Sequence, residues 1–210
     1  MGSGDGTGEG NVFRTVAGLG RASVTVRGSE FIGHVAPAAT VEEAEGFIEG
    51  RKAAHPDATH NVPAYRVRSD DGIVREHASD EGEPSGSAGK PVLNVLQQRE
   101  VADVVVVVTR YFGGTELGVG GLARAYGEAT KRALDAADVV ERMPHRRLTI
   151  ESTYDDSGTV RGILESEALD FEADYGERVS FEALAPTDEV ERVADRLRSA
   201  TSGRAEVRVG

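Results

Sequence analysis

Residues 104–134 read VVVVVTRYFGGTELGVGGLARAYGEATKRAL, and the fold class turns on how they are read. Val104, Val105, Val106, Val107 and Val108 are consecutive β-branched residues closed by Thr109, the composition of a strand covered on both faces rather than one alternating between core and solvent. Such a strand belongs in mid-sheet. After Arg110, Tyr111 and Phe112, the glycines Gly113, Gly114, Gly118, Gly120 and Gly121 crowd the connection to an Ala-, Leu- and Arg-rich segment, which predicts a helix over 119–137. So many glycines cost backbone entropy. They fit tight turns that let the helix approach the sheet, or their N–H groups at a helix N-terminus cradle an anion, and both can hold at once. In the helix Leu122, Tyr126, Ala129 and Ala133 share one face, while Arg124, Glu128 and Arg132 are spaced four apart on another. Glu128 and Arg132 read as a solvated pair worth about 0.2–0.5 kcal/mol. Arg124, placed in the first turn where a cation opposes the helix dipole, reads as functional.

Working outward, residues 16–26 and 30–35 predict two strands around a turn at Arg27, Gly28 and Ser29. A helix is expected over 41–53, with Thr40 as N-cap and Glu43 as its capping-box partner. Residues 64–68 and 73–77 predict a hairpin around Asp70, Asp71 and Gly72. A polar loop over 79–89 leads into a short helix over 91–98. Beyond Pro144 the apolar periodicity predicts strands over 147–152, 171–175, 179–181 and 205–209 and helices over 157–168 and 187–200. That order, β-α-β-β-α-β, is the ferredoxin-like split unit. The elements before Pro144 do not share it. The expected class is α+β in two domains: a tail over 1–12, read as disordered, a first domain over 13–143 and a ferredoxin-like domain over 146–210.

Three stretches carry a resemblance. The segment TRYFGGTELGVGGLARAY (109–126) resembles the signature of the Impact/YigZ family, in which R-Y-F-G-G leads into L-G-x-G-G-L-x-R-A-Y. ATHNVPAY (58–65) resembles the family's A-T-H-N-x-x-A-Y, and SDEGEPSGSAGKP (79–91) its S-D-D-G-E-P-S-G-T-A-G-x-P, with Glu81 for Asp and Ser87 for Thr. All three occur in family order. The resemblance implies a first domain like elongation factor G domain IV, with a left-handed β-α-β crossover against the general right-handed rule, and a second like domain V. It also implies a link to translation, since eukaryotic Impact proteins restrain the amino-acid-starvation pathway that inhibits initiation. The eukaryotic forms carry an additional N-terminal module that this sequence does not display.

The chain has 210 residues, no Cys and no Trp. Thiol nucleophiles, disulfides and Cys-ligated zinc are therefore excluded, compatibly with a reducing cytoplasm. No apolar run approaches the ~20 residues of a membrane span, and MGSGDGTGEG at the N-terminus has no signal-peptide character. The net charge is −12, and Lys52, Lys90 and Lys131 are the only lysines, all other basic residues but histidine being arginine. That balance reads as halophilic: carboxylates keep a protein hydrated at molar salt, where the Debye length is ~3 Å.

Several chemistries fail on spacing. Gly113 to Gly118 fits G-x-x-x-x-G, but Val119 stands where a P-loop needs Lys. Gly118, Gly120 and Ala123 fit G-x-G-x-x-A with Glu141 downstream, yet the first glycine is too far from the strand, and Val139 with Val140 makes a poor second strand. No serine occupies G-x-S-x-G. His34, His55, His60, His77 and His145 form no H-E-x-x-H, so no metal or cofactor is assigned.

What remains is an anion-binding set of Arg110, Gly113, Gly114, Gly118, Gly120, Gly121 and Arg124, beside a polar cleft of His60, Asn61, Tyr65, Asp80, Glu81, Glu83 and Ser85. His60 and Asn61 read either as hydrogen-bonding residues at a strand entrance or as cleft residues. Asp80, Glu81 and Glu83 read as a solvated acidic loop, a cation site, or partners fixing Arg110 and Arg124. The expected function is a non-catalytic, translation-associated factor binding ribosome, RNA or a translation-linked protein. The alternative is an enzyme or binder of a small phosphorylated ligand that uses the glycine loop.

Overall fold

The structure is a computed structural model describing residues 12–69 and 73–210. The expected tail, except Val12, and the turn at 70–72 lie outside the described residues. Chain contacts divide it into a unit over Phe13–Arg142 and one over Met143–Gly210.

The first unit runs β1 (Phe13–Val16), β2 (Gly20–Val26), β3 (Ser29–Pro37), α1 (Val41–Ala54), β4 (His60–Arg68), β5 (Val74–Ala78), α2 (Gly89–Gln98), β6 (Val104–Tyr111), α3 (Gly118–Ala136) and β7 (Val139–Arg142). The valine strand β6 is central in a five-stranded sheet ordered β2-β3-β6-β4-β5, antiparallel at every pairing. Strands β3 and β4 both run against β6, so they are parallel, with α1 as their crossover. Val104, Val106 and Val108 pack with Val35, Val62, Leu96 and Tyr126 towards α2 and α3. Val105 and Val107 pack with Ala44, Ile48 and Tyr65 towards α1. All five valines are fully buried, each contributing about 1.5–3 kcal/mol.

A local signal sets the start of α1. At α1 the Glu43 N–H donates to Thr40 Oγ1 at 3.2 Å, and Glu43 Oε2 accepts from the Ala39 N–H at 2.8 Å, one residue before the cap. The strand expected over 16–26 is confined to β2, Gly20–Val26; Val16 instead ends a separate strand, β1, which pairs antiparallel with β7 in a two-stranded sheet. That pairing makes Val139 and Val140 part of a strand after all. Close approach of α3 to the sheet comes from glycines in strands: a Cβ on Gly20 would lie 2.2 Å from Ala133 O, and one on Gly33 2.6 Å from Ala129 O.

The second unit runs β8 (His145–Ser152), α4 (Tyr154–Ser166), β9 (Phe171–Tyr175), β10 (Val179–Pro186), α5 (Val190–Ala200) and β11 (Glu206–Val209). Its four-stranded sheet is ordered β11-β8-β10-β9, the ferredoxin-like arrangement, and Leu148, Ile150, Phe181, Leu164 and Leu197 are fully buried in its core. Arginines staple it. Arg204 donates to both oxygens of Asp156, at 2.9 and 2.7 Å, and these bonds lower the Asp156 carboxyl pKa. Hydrogen bonds from Arg192 and Arg196 hold Glu167 down at about 2. Bidentate geometry of this kind is available to arginine and not to lysine.

Candidate functional site

The three family-like segments meet at Glu83. Its side chain is 2% exposed and accepts from Arg110 Nη1 at 2.6 Å and from the Tyr126 hydroxyl at 2.7 Å. His60 Nε2 lies 3.8 Å from the other oxygen. One carboxylate thus joins β4, the loop after β5, the end of β6 and the third turn of α3. Phe31 closes the cluster, meeting Tyr126 edge-on at 5.1 Å and lying 5.4 Å beneath the Arg110 guanidinium. Burial, followed by the bond to Glu83, pushes the Tyr126 phenol well above its ordinary pKa, so it stays a donor.

The loop before α2 is closed by Asp80. Its carboxylate accepts from the Gly86, Ala88 and Gly89 N–H groups at 2.7, 3.0 and 2.8 Å. Helix α2 has no N-cap side chain of its own, and Asp80 supplies what Ala88 lacks. Desolvation works to raise the Asp80 pKa, but the three backbone bonds outweigh it and the carboxyl is lowered. A Cβ on Gly89 would sit 2.6 Å from Ser79 O, so the loop folds tightly onto the helix start.

The expected cleft is therefore split. Neighbouring strand residues point to opposite faces, and His60 lies on the α2/α3 side of β4 while Asn61 and Tyr65 lie on the α1 side. Asn61 accepts from Thr109 Oγ1 at 2.7 Å, and Tyr65 is core. Asp80 is a backbone clamp, Glu81 pairs with Lys52 at 3.2 Å, and Ser85 is exposed. Among the described residues no group of three or more His, Asp or Glu is placed to hold a metal ion.

The anion-binding set divides as well. Arg110 is 6% exposed and faces inward on Glu83, its Nε without a hydrogen-bond partner. The Gly113 N–H donates to Ser29 Oγ at 3.0 Å, and a Cβ there would fall 1.9 Å from Gly28 C. Both are architectural: Arg110 is buried against Glu83, and the Gly113 N–H is spent on Ser29. Gly114 and Gly118 have φ of 83° and 66°, conformations that favour glycine. Gly118, Gly120 and Gly121 begin α3, which has no capping side chain and no acidic residue in its first turn. The Gly118 and Gly120 N–H groups lack helical acceptors by position, whereas the Gly121 N–H, four residues after the N-cap Leu117, has that residue's carbonyl as its helical acceptor. Arg124 is the helix's seventh residue, past the first turn, so the dipole argument for it fails. It is exposed and makes no ion pair among the described residues, with its Nη1 3.5 Å from where a Gly120 Cβ would stand.

A second polar group, built from His34, His55 and Tyr111, to which the sequence assigned no role, lies on the α1 side. His34 is buried with its Nε2 unpartnered, its ring 5.1 Å from that of His55, and the two His55 and Tyr111 side chains meet at 2.9 Å. Burial, then His55, Arg51 and Arg21, lower the His34 pKa from 6.5 to about 4. A neutral buried histidine takes up a proton on unfolding. Stability is thus expected to fall as pH drops from 6.5 to about 4. Urea melts across that window should show the slope, and His34→Gln should flatten it.

The Impact N-terminal domain matches residues 27–134, and a domain of unknown function, DUF1949, matches residues 150–204. The chain is 39% identical over 199 residues to IMPACT family member YvyE of Bacillus subtilis, covering 94% of this chain and 91% of that protein. It is 32% identical over 179 residues to IMPACT family member YigZ of Escherichia coli, covering 85% and 88%. A crystal structure of a hypothetical protein superposes with a TM-score of 0.68 at 29% identity, over 93% of this chain and 96% of that one.

Proposed function

The chain belongs to the IMPACT family, and on that footing we propose that it is a non-catalytic, translation-associated regulatory factor binding the ribosome, RNA or a translation-linked protein. The observation that carries the reading is the meeting of the three family-like segments on Glu83. The buried carboxylate holds the end of β6 and the third turn of α3 together, and the loop between them is left on the surface, with Phe112, Gly114, Gly118 and Gly120 exposed. Backbone N–H groups of Gly118 and Gly120 with the Arg124 guanidinium form a donor set for a phosphate or carboxylate. The link to translation comes from the resemblance to eukaryotic Impact proteins. Among the described residues, no nucleophile, base and orienting group stand together around the loop.

Wild type should cosediment with ribosomes at molar KCl, and Arg124→Ala should weaken that association roughly tenfold, the loss of about one charge-assisted contact, while leaving the melting temperature unchanged. Failure of the wild type to pellet, with a saturable phosphorylated metabolite bound instead, would favour the small-ligand reading.

A further inference from the structure

A hollow of about 650 Å³ opens between β2, α2 and α3, beside the loop but apart from the Glu83 cluster. Val24, Val26, Val95 and Leu117 give it an apolar floor, and α3 contributes the small residues Gly121, Ala123 and Gly127. Asn94 and Gln98 of α2 supply amide groups. The rim carries Arg27, Arg124 and Lys131, none of which makes an ion pair among the described residues. In a chain with 36 acidic and 24 basic residues, carboxylate partners are plentiful, and nearby cations take them: Arg132 pairs with Glu128 at 2.8 Å and Arg99 with Asp135 at 2.9 Å. Glu128, the one carboxylate lining the hollow, is thereby neutralised.

We infer that this hollow docks an acidic, amphipathic segment of a partner protein, laying its apolar face on the valines and its carboxylates against Arg27, Arg124 and Lys131. The inference rests on the reading of the chain as a binding factor and names the chemistry of its partner. A helix-in-groove contact needs an apolar trough with complementary charge at its edge, and both are present. Single-stranded RNA would also meet the cations, but it binds through aromatic platforms on which bases stack. No aromatic side chain lines the hollow. Electrostatic complementarity at such a rim selects the partner more than it tightens the complex.

The test uses the full chain, at the lowest KCl concentration that preserves its circular dichroism, and a fluorescein-labelled peptide with leucines on one helical face and glutamates on the other. Two variants probe the hollow outside the loop's donor set. Lys131→Glu reverses an exposed rim charge. Gly127→Leu fills the trough, since a Cβ there makes only an ordinary contact with Val95 Cγ2 at 3.7 Å. Saturable binding by wild type, weakened roughly tenfold by each variant, is the expected result. Absence of peptide binding, equal binding by both variants, or an oligouridylate bound in the peptide's place and lost in the same variants would overturn it. Ribosome cosedimentation of the same proteins separates the two readings. Wild type that pellets but ignores the peptide removes the hollow alone; wild type that takes the peptide there and never pellets removes the ribosomal reading alone.

Discussion

Glu83→Ala is expected to destabilise the Phe13–Arg142 unit by about 3–5 kcal/mol, the loss typical of removing one partner from a buried ion pair. Arg110 would remain 6% exposed with its carboxylate gone, and the Tyr126 hydroxyl would lose its acceptor. Against a total stability of about 5–15 kcal/mol, such a variant would be marginally folded. Glu83→Gln should cost less, because an amide oxygen still accepts from Tyr126 while the charge that offsets Arg110 is lost. Replacing both partners, Glu83→Leu with Arg110→Met, should recover much of the loss, since an apolar pair of similar volume carries no desolvation penalty. A denaturant double-mutant cycle measures this: strong coupling is expected, and additivity within error would mean that Glu83 does not hold the segments together.

Gly113→Ala is expected to be the most damaging substitution among the loop glycines. The new Cβ would lie 1.9 Å from Gly28 C, 2.1 Å from Gly28 O and 2.3 Å from Ser29 N. These are backbone atoms of the β2–β3 turn and cannot move alone. Overpacking of this kind costs about 1–3 kcal/mol and occasionally more, and displacement would also break the Gly113 N–H bond to Ser29. Gly120→Ala is the contrast. Its nearest neighbour is the end of the flexible Arg124 side chain at 3.5 Å, and alanine in a helix is favoured over glycine by up to about 1 kcal/mol. Thermal melts of the two variants should move in opposite directions. Unchanged stability in Gly113→Ala together with lost ribosome association would instead make Gly113 a ligand.

The elements that sequence revealed best are those whose burial leaves a period. Five β-branched valines in a row read as a strand covered on both sides, and β6 is packed by α1 on one face and by α2 and α3 on the other. The second unit shows its β-α-β-β-α-β order because each element buries one stripe. Short pairings leave no such trace: β7 is the four residues Val139–Arg142 and exists because β1 lies beside it. Two misses had a signal. His60, Asn61 and Tyr65 could not share one cleft once placed on one strand, by simple alternation. Gly20 and Gly33, inside strands, mark close backbone approach, and the carbonyls of α3 stand over them. Glu83 had none. Among three crowded carboxylates, which one turns inward depends on Asp80 clamping the loop and on Arg110 arriving from a distant strand.

The most direct measurement is hydrogen exchange on the wild type, alone and with ribosomes at molar KCl. The expected result is slowed exchange in peptides spanning residues 112–121 on addition of ribosomes, with the core strand β6 equally protected in both states. Loop peptides that exchange identically while the protein demonstrably pellets with ribosomes would contradict the claim that this loop is the binding surface.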